Sequence, residues 1–134
     1  MKQILLVLTI GLALWVRPVA AQDAAHQAVI AAQIEAFQVD DFVRAFSYAS
    51  PTIQTVFRNP ENFAAMVKRG YPMVWRTRDV RYLEARMVAG KRWQKLLVID
   101  AKGARFLMDY RMIETGGLWK IDAVQMLELP EVAA

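Results

Sequence analysis

Arg105-Phe106-Leu107-Met108-Asp109-Tyr110-Arg111-Met112-Ile113 is the stretch that decides the fold. Read at a period of two, Phe106, Met108, Tyr110 and Met112 share one face, and Leu107, Asp109, Arg111 and Ile113 share the other. That is the alternation of a β-strand, not the three-to-four spacing of a helix. A sheet with one face in water would alternate cleanly between apolar and polar residues. Here both faces are partly apolar, so both require cover. Helices can supply one side; curvature of the sheet, or a second copy of the chain, must supply the other.

The same period runs to either side. Strands are predicted near 79–88, 92–100, 104–113 and 118–127, separated by Ala89-Gly90, Ala101-Lys102-Gly103 and Thr115-Gly116-Gly117. Turns this short, each containing glycine, join antiparallel neighbours, so this half of the chain is a meander. In the second strand Trp93, Leu97 and Ile99 oppose Leu96 and Val98, again with apolar groups on both faces.

Upstream of Asp79 the spacing is helical. Ile30, Ile34 and Phe37 form a narrow stripe over 23–38, with Asp23 in position to cap it. Phe42, Ala45, Phe46 and Ala49 repeat that spacing over 41–49, after Asp40-Asp41 offers a fresh cap. Ser50-Pro51 closes this helix and starts a short third turn with Ile53, Val56 and Phe57 inward. Asn59-Pro60-Glu61 opens a helix over 60–69, with Phe63, Met66 and Val67 inward, Lys68 and Arg69 at its negative end, and Gly70 as the left-handed residue beyond it. Ile34, Phe37, Phe46, Phe63, Val67, Leu97 and Trp119 are expected to be buried. The fold class is α+β, with N-terminal helices packed on a curved four-stranded antiparallel sheet.

The beginning of the 134-residue chain carries a different message. Lys2, the apolar run Ile4 to Trp15 and the small-residue exit Val19-Ala20-Ala21 have the layout of a cleaved secretory signal peptide. The run is shorter than the roughly 20 apolar residues of a spanning helix, so no stable membrane insertion is expected. Pro18 should leave the cleavage region extended. The expected domains are a signal peptide over 1–21 and a single α+β domain over 22–134, exported and periplasmic. With no cysteine in the chain, neither a lipid-modified cysteine nor a disulfide is available, and a packed core must do the stabilising.

Export changes the charge. Lys2 and Arg17 leave with the leader, so 15 of the 17 basic residues face 13 acidic ones, a net charge of +2. Ten basic and three acidic residues lie between Arg58 and Lys95. Without an interleaved aromatic motif or a recognition helix, this excess reads as solvated surface and not as a nucleic-acid site.

No motif names a reaction. The chain has no His or Cys cluster for a metal, no Ser–His pair in a recognisable setting and no glycine-rich phosphate loop, so no metal and no cofactor are expected. The lone histidine, His26, falls in the first turn of the first helix and reads as solvated. The candidate ligand-binding residues are Tyr71, Trp75, Arg76, Asp109 and Arg111. Tyr71, Trp75 and Arg76 cluster behind Gly70 and suit the mouth of a pocket, with the aromatics as walls and Arg76 as an anion donor. The alternative is that Tyr71, Met73 and Trp75 turn inward as a plug. Asp109 and Tyr110 cannot face one cavity from a regular strand, which counts against an acid–tyrosine pair. Asp109 with Arg111 reads as an ion pair on a solvated face.

Helices followed by a curled antiparallel sheet resemble the nuclear transport factor 2-like, or cystatin-like, cone. That fold hosts isomerases, dehydratases, ligand carriers and subunit adaptors, so it does not fix a function. Ser50-Pro51-Thr52-Ile53-Gln54, the run Gly70 to Arg76, Asp109-Tyr110 and Trp119-Lys120-Ile121 resemble a bacterial family catalogued as domain of unknown function 4864. The resemblance implies a small exported protein and supplies no chemistry. The expectation is a non-catalytic domain that binds a small apolar or anionic ligand, or a protein partner. The alternatives are an isomerase- or hydrolyase-like enzyme using Asp109 or Tyr110, and a purely structural homodimer paired through the sheet face.

Overall fold

The computed structural model describes residues 19–130. The leader assigned to 1–21 lies almost wholly outside them. Its last residues, Val19, Ala20 and Ala21, are not extended but form the opening turn of α1 (Val19–Gln38). There follow α2 (Phe42–Ser47), α3 (Pro51–Phe57), α4 (Pro60–Gly70), α5 (Pro72–Trp75), β1 (Thr77–Val88), β2 (Lys91–Asp100), β3 (Arg105–Thr115) and β4 (Leu118–Leu127). The strands form one open antiparallel sheet in the order β1-β2-β3-β4. The chain is thus α+β, helices before strands, as its two periods predict. Among the described residues no helix is long and apolar enough to cross a membrane.

Local chemistry sets the helix starts. The Asp41 carboxylate accepts from the Arg44 N–H at 3.1 Å, the Ser50 hydroxyl from Ile53 at 3.2 Å and the Asn59 side chain from Asn62 at 2.8 Å. Each satisfies a backbone donor that has no partner within its helix. Pro51 and Pro60 occupy first helical positions, where the missing N–H costs nothing. Asp23 does not cap α1. The helix begins upstream of it, and its carboxylate pairs instead with Arg92. Gly70 is not left-handed; it closes α4, and Tyr71 caps that helix while donating its N–H to the Val67 carbonyl. In the β3–β4 hairpin, Gly116 and Gly117 have φ of +58° and +78°, the double left-handed turn that matches the twist of the flanking strands.

The core lies between the helices and one sheet face. Leu96, Val98, Met108 and Met112 pack there against Ile30, Ile34 and Phe37 of α1 and Phe63 and Val67 of α4. Phe63 is the hub of an aromatic group, with ring centroids 6.1 Å from Phe37, 5.3 Å from Phe46 and 6.0 Å from Phe57. Fully burying one such side chain contributes about 1.5–3 kcal/mol. Of the residues expected inside, Trp119 is only half-buried. Val56 was expected inward but is 64% exposed, and α3 buries none of its residues; it rests on the core through Ile53 and Phe57, which are only partly buried.

On the opposite face Leu97 and Asp109 are buried without a second layer above them among the described residues. Long side chains supply the cover. Arg86 lies on Asp109, Lys95 reaches Glu84, and the Arg111 guanidinium stands 5.7 Å over the Trp93 ring. Register shifts between Tyr82 and Ala85 on β1, and beside Arg111 and Met112 where β3 meets β4, bend the sheet.

Candidate functional site

The register shift between β3 and β4 leaves Asp122 as an extra residue, because Arg111 pairs with Ala123 and Met112 with Ile121. Opposite the bulge, the link between α2 and α3 adds itself to β4. Ser50 donates its N–H to the Ile121 carbonyl at 2.8 Å, and Ile121 donates to Tyr48 at 2.9 Å. This places Ser50, which is fully buried, against Asp122. The Ser50 hydroxyl donates to Oδ1 of Asp122 at 2.7 Å, and Arg111 Nε donates to Oδ2 at 2.9 Å.

Asp122 stands at the wall of a cavity of about 390 Å³ between α1, α3, α4 and the β3–β4 end of the sheet. Its apolar walls include Phe37, Phe57, Phe63, Val67, Val74 and Val124. Among the described residues no Lys, Arg or His lines it, and Asp122 is the one charged residue that does. The polar groups are Tyr71, Tyr110 and Gln33. Tyr71 donates its hydroxyl to the Val124 carbonyl at 3.2 Å. Gln33 donates its amide to the Ala45 carbonyl at 3.1 Å. Tyr110 is 1% exposed, and burial pushes its phenol above the ordinary range, with Tyr82 and Tyr71 adding to the effect. It therefore stays protonated at neutral pH and keeps a proton to donate.

The structure divides the residues singled out by sequence. Tyr71 lines the cavity; Trp75 and Arg76 do not. Their partner is Asp40, just past the end of α1. Trp75 Nε1 donates to Oδ1 at 2.8 Å, and Arg76 Nη2 reaches the two carboxylate oxygens at 2.9 and 3.0 Å. Arg76 Nη1 also donates to the Phe37 carbonyl at 2.8 Å, and its guanidinium stacks 4.3 Å from the Trp75 ring. The trio is not one connected site, and the Arg76 fork is already engaged. The segment is not a loop either, since Pro72 restarts the chain as α5.

Asp109 and Arg111 are not each other's partners. Asp109 is buried, not solvated, and takes a two-pronged contact from Arg86, at 3.0 and 2.6 Å, on the sheet face away from the helices. Arg111 is the residue that orients Asp122. His26, expected in water, is fully buried. Arg92 Nε donates to its Nδ1 at 3.0 Å, so its proton sits on Nε2, which donates to Gln94 at 2.6 Å. Among the described residues no three potential metal-ligating His, Cys, Asp or Glu side chains come together.

Sequence reasoning missed Gln33 and Asp122. Gln33 left a signal: it interrupts the Ile30-Ile34-Phe37 stripe at an inward position. Asp122 left none, because the bulge that turns it toward Ser50 arises from strand pairing.

No curated protein and no solved structure matches the chain. Residues 19–134 match the model of a family described as a domain of unknown function, DUF4864, and the chain belongs to that family.

Proposed function

We propose that the chain is an exported, periplasmic domain, cleaved before Gln22, whose nuclear transport factor 2-like cone binds an uncharged, mainly apolar small molecule without transforming it. The observation that carries this reading is the apolar cavity of about 390 Å³, within the size range of small-molecule sites. An anionic ligand is disfavoured. Among the described residues it would meet no basic side chain in the lining, and it would face Asp122, whose charge is already matched by Arg111. The charged, apolar and small-residue order of the leader supports export. Helices packed on one face of a bulged sheet support the cone.

Catalysis through Asp109 or Tyr110 is the weaker reading. Asp109 is held by Arg86 on the far face, and a phenol pushed upward by burial is a poor base. A purely structural dimer would leave the cavity without a purpose.

Mass spectrometry of the protein isolated from its native compartment tests the proposal, reading intact mass under native and denaturing conditions. The expected result is a chain starting at Gln22 and a retained small molecule lost on denaturation. An intact Met1 in washed membranes would overturn export, and a ligand-free protein that takes up no apolar probe would overturn the binding role.

A further inference from the structure

Two polar side chains that line the cavity keep unused hydrogen-bonding capacity among the described residues. Tyr110 is 1% exposed, and its hydroxyl has no hydrogen-bond partner among the described residues. The neighbouring phenols cannot compensate, since Tyr71 donates to the Val124 carbonyl and Tyr82 to the Gln27 carbonyl. Gln33 is 4% exposed. Its amide nitrogen donates to Ala45, which fixes the orientation of the group, because the reverse would set two acceptors against each other. Its carbonyl oxygen is then an acceptor with no donor among the described residues. Neither atom is sealed in the core; among the described residues the sealed side-chain atom without a partner is the Trp119 indole nitrogen. Both residues line the same cavity, so a molecule in that space is within reach of each.

We propose that the molecule this cavity takes carries a hydroxyl group on an uncharged apolar frame, with Tyr110 donating to it and Gln33 accepting from it. This rests on the reading of the cavity as a ligand site. A hydroxyl is the smallest group that offers both an acceptor and a donor. A carboxylate offers acceptors alone and brings a charge that no lining cation among the described residues balances. An ammonium offers donors alone and leaves Tyr110 unmet. A bare hydrocarbon meets neither group, and buried polar groups are rarely left unpaired. Tyr110 and Gln33 are therefore specificity-determining residues, and the apolar walls set affinity.

Three probes that share one frame, namely naphthalene, naphthol and naphthoate, separate the contributions when titrated calorimetrically into the purified protein at neutral pH. Naphthol is expected to bind about tenfold more tightly than naphthalene, the effect of one well-formed hydrogen bond, and naphthoate more weakly than either. Tyr110→Phe and Gln33→Met should each bring the affinity of naphthol toward that of naphthalene, so that the ratio between the two probes falls toward one. If naphthalene and naphthol bind equally to the unaltered protein, the hydroxyl inference fails while the cavity remains a ligand site. Tightest binding by naphthoate overturns it as well. If none of the three binds, the ligand-site reading itself fails. The ranking on the unaltered protein decides the matter even where a variant does not fold.

Discussion

His26 occupies a position that accommodates one charge state. Burial drives its pKa below the ordinary imidazole value, and the hydrogen bond to Gln94 opposes this only in part. The geometry points the same way: Nδ1 accepts from Arg92, whose cation can never accept in return. Protonating the ring would set two cations together, with Asp23 as the nearby carboxylate, beside the neutral Gln27 and Gln94 amides and the edge-on Trp119 ring. The sign follows directly. A histidine whose folded pKa is lowered binds fewer protons in the folded state, so its contribution is complete above about pH 6.5 and is lost as the pH falls below that. Urea unfolding between about pH 7.5 and pH 5.5 should show stability falling with acidification by at most about 1.4 kcal/mol per pH unit from this group. His26→Gln, which can still accept from Arg92 and donate to Gln94, should flatten that slope; an unchanged slope would assign it to other groups. The sequence hid this residue because Asp23 resembles a cap, which places His26 in an exposed first turn. Once α1 starts at Val19, His26 faces Gln94 on β2.

Between elements, the contact of greatest consequence outside the core joins the end of α1 to α5. Asp40 has φ of +56°, and its carboxylate is kept below the usual range by hydrogen bonds from Trp75 and then Arg76. Arg76 also bonds the Phe37 carbonyl in the last turn of α1, so one guanidinium fixes both the helix end and the residue that leaves it. Arg76→Ala should lower the melting temperature, and Arg76→Lys should rescue it poorly, because an ammonium lacks the planar fork. In a cycle with Asp40→Ala, the double variant should lose less than the sum of the single losses; strict additivity would mean that the ion pair is idle. Neither change should alter binding in the cavity, which Arg76 does not line. The starts of α3 and α4 were legible because Ser50-Pro51 and Asn59-Pro60 carry their capping chemistry within a few residues. The Asp40–Arg76 tie was not, because it joins residues that only tertiary packing brings together.

For the whole molecule, the change of period at Asp79 carried the α+β division and the order of the strands, since both follow from local alternation and short turns. The cavity could not be read that way. It is the space left where α3 rests on the core through the partly buried Ile53 and Phe57, above a sheet that the Asp122 bulge has bent. Such a space is costly if it serves no purpose, because interiors are otherwise packed nearly to the density of molecular crystals. Ala49 tests whether it is retained for binding. This residue is 2% exposed, bridges to Ile121 and lines the cavity with a single methyl group. Ala49→Leu would extend that methyl into apolar space. Filling such a void typically adds about 0.5–2 kcal/mol, a rise of a few degrees in melting temperature. Naphthalene should meanwhile bind more weakly, because the added side chain takes up the volume the probe needs. Stability gained as binding is lost is the expected signature of a cavity kept open for a ligand. If Ala49→Leu instead destabilises the protein by the 1–3 kcal/mol or so of an overpacked core and leaves probe binding unchanged, the space at Ala49 is already filled and the ligand lies elsewhere.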